Sequence, residues 1–195
     1  LPVFMLKGMA APTFTVLPGA LAVGLVAGFG GVWFNRTLLA SLNLYEKLRH
    51  WPVLWVGAGT GALMGVLGWI VPGVAGSGYD LVTQALSGGT ALAVLPMLLL
   101  IRFGMTMISY GSGTAGGIFV PMFVLGALGG LFLGGMAHLL APTWFPHPEV
   151  FVVLGMGALF TSVVRAPLTG LVLMIELTGS YAFMLPLLVS CLLAY

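Results

Sequence analysis

Residues 111–121 read GSGTAGGIFVP, in which seven small residues lead directly into an apolar segment. The small residues have no stable preference for helix, so a helix is expected to begin near Ile118 with free backbone N–H groups in its first turn. The helix dipole adds roughly half a positive charge there. Pro121 fits in the first turn because that position needs no N–H donor. The stretch predicts a helix start that binds an anion; an ordinary glycine-rich loop before a helix has the same pattern.

The composition around this stretch excludes a soluble domain. Of the 195 residues, 60% are apolar and 5% are charged, and the mean hydropathy is +1.17. A soluble domain carries roughly 25% charged residues, so the expected solvent is lipid, where backbone hydrogen bonds must be satisfied internally. The formal charge is +2 and the basic residues do not cluster, which excludes nucleic acid as a partner.

Glycine and cysteine usage add two expectations. The 30 glycines are about twice the usual frequency of roughly 7%, and they lie inside the apolar runs, which predicts close helix contacts or broken helices. The single cysteine, Cys191, excludes a disulfide within the chain, and no Cys/His spacing is typical of a metal site. We expect no metal and no cofactor.

The apolar runs predict an all-α integral membrane protein. A hydrocarbon core of roughly 30 Å needs about 20 helical residues, and several runs are shorter, so broken, tilted and re-entrant helices are expected. A segment at 81–86 is also too short to span. The predicted apolar segments are 14–34, 53–71, 92–109, 118–141, 150–164, 168–178 and 183–195.

The most charged stretch follows the first apolar run, at residues 35–50, and is predicted to be a loop. The positive-inside rule places it in the cytoplasm. The chain begins with Leu, shows no signal peptide and stops inside an apolar run, which predicts a fragment of a longer protein. The charged residues of this stretch are Arg36, Glu46, Lys47 and Arg49, and His50 follows them.

Three separated motifs resemble one family. Residues 111–121 resemble the glycine-rich sequence ending in G-x-F-x-P of the CLC chloride channels and proton-coupled chloride antiporters. Residues 155–181, GMGALFTSVVRAPLTGLVLMIELTGSY, are similar to the segment that follows that motif in the family, at the expected distance. Residues 76–81, GSGYDL, are similar to a glycine-rich turn upstream of it. The resemblance covers most of the chain from about Gly28 onward.

The resemblance implies a subunit built as two inverted repeats, of which residues 1–195 are the second, C-terminal one. It implies that the backbone N–H groups of Ile118 and Phe119 bind a central chloride, and that Gly117 allows its approach. The matching filter motif comprises Gly116, Gly117, Ile118, Phe119, Val120 and Pro121.

Other parts of the family's chloride pathway fall outside this chain. A serine hydroxyl of the first repeat and a tyrosine of the final helix also bind chloride in the family, and Tyr195 comes too early to be that tyrosine. The gating and proton-transfer glutamates belong to the absent repeat. Chloride channel, proton-coupled antiporter and fluoride- or nitrate-selective member therefore stay open as alternatives, in a multi-pass protein of a bacterial inner membrane.

The resemblance also implies a homodimer formed through the last helices of each repeat. Large apolar side chains between residues 168 and 192 suit such a contact, although contact with lipid explains them almost equally well. The residues considered are Leu168, Leu171, Leu173, Ile175, Leu185, Leu188 and Leu192.

The charged residues inside apolar runs have structural interpretations. Glu176 is expected to accept hydrogen bonds from helix ends or to pair with a base such as Arg165, although an intramembrane carboxylate is also a functional candidate. Arg165 is expected to end one helix before a turn, with Pro167 starting the next. Arg102 is expected to snorkel or to cap a neighbouring helix.

An intramembrane serine hydrolase is the alternative from another class. Ser77 and Ser112 each lie between two glycines, and His138 follows on an apolar segment, as a Ser/His dyad would require. Glycines also flank serine wherever backbones pack closely, and neither triplet has the first glycine of a G-x-S-G pattern. The sequence therefore favours a transport protein and not an enzyme.

Overall fold

The computed structural model describes residues 14–47, 53–71, 76–113 and 117–195. Within these ranges the chain forms a short 3-10 turn and eight α-helices, with no strand. The turn is Phe14–Val16, and the helices are α1 (Leu17–Lys47), α2 (Val53–Ile70), α3 (Tyr79–Leu86), α4 (Leu95–Gly111), α5 (Phe119–Leu140), α6 (Val150–Val164), α7 (Pro167–Thr178) and α8 (Met184–Ala194).

Most predicted segments agree with these helices, but the loop predicted after the first apolar run is wrong. Helix α1 continues to Lys47 and is 31 residues long. Its polar residues find partners on neighbouring helices: Asn35 Nδ2 donates to the carbonyl oxygen of Val163 at 3.2 Å, and Ser41 Oγ donates to that of Met107 at 2.6 Å. Arg49 and His50 lie outside the described residues.

Helix α6 forms the centre of the structure. Almost all of its side chains from Val150 to Ser162 are buried, and α1, α5, α7 and α8 pack around it. Since α6 is apolar on all sides, surrounding it with other helices shields it from both water and lipid. Helix α5, which follows the glycine-rich residues 111–117, is therefore positioned by a fully enclosed neighbour.

The contact between α5 and α6 brings the two backbones together through glycine. Gly126 and Gly130 lie one helical turn apart on α5 and face Gly155 of α6. A Cβ on Gly126 would lie 2.5 Å from the carbonyl oxygen of Gly155, and one on Gly130 would overlap the carbonyl oxygen of Phe151. Small residues at this spacing permit close helix approach in membranes, as the glycine content predicted.

Glycine residues also allow α1 to pack closely against α8 and α6. A Cβ on Gly24 would lie 2.7 Å from the carbonyl oxygen of Ser190 in α8, and one on Gly31 would overlap Ser162 in α6. Ser162 Oγ donates a hydrogen bond of 3.0 Å to the carbonyl oxygen of Gly28. The long helix is thus held by backbone contacts and by a partly buried hydrogen bond.

We expect Gly130→Ala to destabilise the protein by about 1–3 kcal/mol, because the added methyl group has no space at the crossing of α5 and α6. Gly129→Ala is the matched control on the same helix. Its Cβ would meet only Leu99 Cδ1, at 3.6 Å, and alanine has the better helix propensity. Thermal unfolding of the purified protein in detergent measures both, and equal midpoints would contradict the close crossing.

Candidate functional site

The N-terminus of α5 is exposed and has no side-chain cap. Ile118 is the N-cap residue, in a right-handed conformation with φ −81° and ψ −17°. The first helical hydrogen bond runs from Met122 N to the carbonyl oxygen of Ile118, at 3.2 Å. None of the described residues accepts a hydrogen bond from the backbone N–H of Gly117, Ile118 or Phe119. Gly116, the first residue of the filter motif, lies outside the described residues.

This arrangement leaves backbone donors available to a ligand. Helix N-termini carry unsatisfied N–H groups, and the helix dipole favours negative charge there. Gly117 is exposed, and apart from its two chain neighbours no atom lies within 4 Å of the place where its Cβ would be, so there is open space beside this glycine. Helix N-termini with free N–H groups are in general suited to bind anions.

A buried aromatic residue of α6 fixes the orientation of the first two turns of α5. Phe119 and Phe123 both stack on Phe160, with ring centroids 5.8 Å and 5.4 Å apart and interplanar angles of 27° and 26°. Phe160 is 1% exposed. Nothing in the sequence distinguishes Phe160, because one Phe within an apolar run has no local pattern that sets it apart from other core residues.

The end of α6 adopts the break that the sequence predicts. Arg165 is the C-cap residue with φ 61°, and its N–H donates to the carbonyl oxygen of Thr161 at 2.7 Å. Its guanidinium Nη1 donates to the carbonyl oxygen of Tyr195 at 2.8 Å. Helix α7 then starts at Pro167. Arg165 thus joins the turn between α6 and α7 to Tyr195, the residue that follows Ala194 of α8.

Comparison with known proteins assigns the chain to a family. A family model described as voltage-gated chloride channel matches residues 2–195. The chain belongs to the voltage-gated chloride channel (CLC) family. The motif resemblance is thereby confirmed, and so is the all-α fold of a partial CLC subunit.

Individual CLC relatives support this assignment. The H(+)/Cl(−) exchange transporter ClcA of Salmonella paratyphi A is 36% identical over 177 residues, which cover 88% of this chain and 37% of that protein. The ClcA exchange transporter of Vibrio parahaemolyticus is 37% identical over 185 residues, covering 93% of this chain and 40% of that protein. The chain thus spans about two fifths of the length of these relatives.

Solved CLC structures share the fold. The crystal structure of a slow cyanobacterial Cl−/H+ antiporter superposes with a TM-score of 0.90 at 34% identity, covering 98% of this chain and 45% of that one. A CLC-type fluoride/proton antiporter superposes with a TM-score of 0.78 at 22% identity, covering 98% of this chain and 46% of that one; this similarity concerns the fold alone. By length and apolar character, two helices in the described part of the chain, α1 and α5, are able to cross a membrane.

The predicted pairing of Glu176 with Arg165 is not formed in this CLC chain. Glu176 is exposed on α7 and has no hydrogen bond or ion pair to a described residue. Arg165 donates instead to the carbonyl oxygen of Tyr195. A structural role for Glu176 stays a prediction.

The snorkelling predicted for Arg102 is wrong. Its side chain is 8% exposed, and Nη1 donates to the carbonyl oxygen of Gly76 at 2.9 Å. A Cβ on Gly78 would overlap Nη2, so the missing side chain of that glycine makes the space for the guanidinium. Arg102 therefore turns inward onto the glycine-rich turn before α3.

The residues considered for a serine hydrolase do not form a dyad. Ser112 Oγ donates to the carbonyl oxygen of Ser109 at 2.7 Å, and Ser77 Oγ lies 3.5 Å from Tyr79 N. The ring nitrogen Nδ1 of His138 lies 2.7 Å from the carbonyl oxygen of Phe145, and neither serine is bonded to it. Across the described ranges, no group of three or more metal-ligating side chains occurs.

At the left-handed position of Arg165, we expect Arg165→Gly to be more stable than Arg165→Ala by about 1 kcal/mol, because only glycine adopts positive φ without strain. Both variants lose the bond to Tyr195, so the comparison isolates the backbone. Thermal unfolding measures the difference.

The matched control is Leu39, which is exposed within α1. There Leu39→Ala should be more stable than Leu39→Gly by about 1 kcal/mol, because alanine favours helix over glycine. If the Gly and Ala variants ranked in the same order at both positions, the left-handed conformation of Arg165 would be contradicted.

Proposed function

We propose that the complete CLC subunit containing this chain moves chloride across a membrane, and that the backbone N–H groups of Ile118 and Phe119 bind the ion on its way. The observation that carries this proposal is the uncapped N-terminus of α5, whose first donors have no described acceptor and lie beside an open glycine. The names of the relatives, which are chloride/proton exchangers, support chloride as the ion.

Backbone donors suit a transport site because they bind without holding the ion. A chloride that enters the site loses part of its water shell, and the dipoles of aligned N–H groups replace it. A full cationic side chain in contact with the ion would bind it more tightly and slow its release. Moving the ion through the site requires no covalent step, so we propose a transporter and not an enzyme.

We further propose that chloride moves in exchange for protons. The relatives at 36% and 37% identity are named H(+)/Cl(−) exchange transporters, whereas the fluoride/proton antiporter is only 22% identical. The proposal therefore favours chloride/proton exchange over a passive channel or a fluoride carrier. The side chains that carry protons are proposed to lie in the part of the subunit outside this chain.

The chain is proposed to be the second of two inverted repeats, in a homodimer of a bacterial inner membrane. The proposed contact runs along the exposed faces of α7 and α8, where Leu168, Leu185 and Leu192 are exposed. Leu171 belongs to the core instead. The remaining residues considered for the contact are partly buried and pack against the core; they are Leu173, Ile175 and Leu188.

We expect Ile118→Pro to weaken chloride binding by about tenfold to hundredfold, since a hydrogen bond to a charged group contributes about 1.5–3 kcal/mol. Proline removes the N–H, as well as the isoleucine side chain, at a position whose φ of −81° it can adopt. Ile118→Ala is the matched control, because it shortens the side chain and keeps the N–H. Isothermal titration of the complete subunit with chloride measures both variants, and equal affinities would contradict a backbone donor at this position.

For proton coupling, we expect a chloride gradient across liposomes containing the complete subunit to drive protons in the opposite direction. Chloride flux and external pH are recorded together, and protein-free liposomes provide the baseline. Chloride flux without a pH change would show a passive channel and would overturn the exchange proposal, while leaving the anion site in place.

A further inference from the structure

The start of α5 rests on a hydrophobic cluster that is distinct from the main core of the bundle. Four helices contribute side chains to it, namely α1, α4, α5 and α6. Both residues of the proposed chloride site contact this cluster: Ile118 packs against it, and the ring of Phe119 stacks on Phe160. The buried members of the cluster, which we call the α5 cluster, are Phe34, Met107, Met122, Leu125 and Phe160.

Within the α5 cluster, Phe160 contacts two successive turns of α5. Phe119 and Phe123 are four residues apart and therefore lie on the same face of the helix. Both rings stack on Phe160, with ring centroids 5.8 Å and 5.4 Å away. Two contacts at different heights along a helix restrict both its tilt and its rotation, which a single contact does not. Phe160 is itself 1% exposed and belongs to the enclosed helix α6.

The orientation of the first turn of α5 decides how well its amides bind an ion. The N-cap has no side-chain hydrogen bond, and the first N–H groups of a helix have no acceptor within the helix. Two neighbouring amides bind one ion well only if both N–H groups point at it, because a hydrogen bond weakens steeply as its donor angle departs from linearity. A small tilt or rotation of the first turn therefore weakens both bonds together.

We propose that Phe160 is a positioning residue of the chloride site, which sets the affinity for the ion without touching it. Its ring, held in α6, fixes Phe119 and Phe123 so that the N–H groups of Ile118 and Phe119 converge on one position. This inference rests on the proposed anion site and adds to it a residue of another helix.

The variant Phe160→Leu of the complete subunit tests this role. Leucine keeps the position apolar and removes both aromatic stacks. We expect the chloride affinity to fall by about threefold to tenfold, which is less than in Ile118→Pro, because the amides are still present and are only misdirected. Isothermal titration with chloride measures both variants.

The matched control is Phe151→Leu, on the same helix. Phe151 is 2% exposed, and its ring packs edge-on against Phe145, with centroids 5.5 Å apart and an interplanar angle of 78°. It meets α5 at Gly130 and Gly134, far from the first turn. Both variants lose an aromatic contact in the core and should lower the thermal unfolding midpoint. Only Phe160→Leu should weaken chloride binding.

Chloride flux into liposomes separates positioning from folding. A residue needed only for folding changes the amount of active protein, and with it the maximal flux, but leaves the chloride concentration at half-maximal flux unchanged. A positioning residue changes the binding step, so in Phe160→Leu that concentration should rise by the same factor as the affinity falls. In Phe151→Leu it should equal that of the wild type.

The variants distinguish failure of this inference from failure of the anion site. Equal chloride affinities in Phe160→Leu and Phe151→Leu, with weakened binding in Ile118→Pro, would overturn the role of Phe160 and leave the site in place. Unchanged binding in Ile118→Pro would overturn both. If Phe160→Leu does not fold, Phe123→Leu removes one of the two stacks from the α5 side, and it should weaken binding in the same direction.

Discussion

The close crossing of α5 over α6 is the contact on which the rest of this structure depends. Gly126, Gly130 and Gly155 bring the two backbones together, and the remaining helices pack around α6. In lipid, apolar surface area contributes little to association, so close van der Waals contact must hold the helices together. A side chain at this crossing would move α5 away, and its N-terminus would shift with it.

The same crossing bears on how a chain with so little charge would present the proposed anion site. Phe160 of α6 holds Phe119 and Phe123 of α5 through stacked rings, so an enclosed helix fixes where the first N–H groups of α5 lie. Fixed dipoles need no reorganisation when an ion arrives. The low charge content of the chain and its proposed function therefore have one physical basis: in the proposed site, backbone N–H groups bind the anion in place of cationic side chains.

The sequence predicted the features that depend on local chemistry, namely where helices start and break. Small residues before an apolar run located the start of α5, and Pro167 after Arg165 located the break between α6 and α7. It did not predict the length of α1, because Asn35 and Ser41 look like loop residues until their acceptors on α6 and α4 are known. The burial of Arg102 and the role of Phe160 likewise depend on contacts between residues distant in the chain, which no local pattern encodes.

The central claim is that the first backbone amides of α5 bind the transported anion. Anomalous X-ray diffraction from crystals of the complete subunit grown in bromide tests it most directly, because bromide replaces chloride and identifies its own position. We expect an anomalous peak within hydrogen-bonding distance of both Ile118 N and Phe119 N. Bromide bound elsewhere, with these two amides bonded to protein carbonyl groups, would contradict the claim.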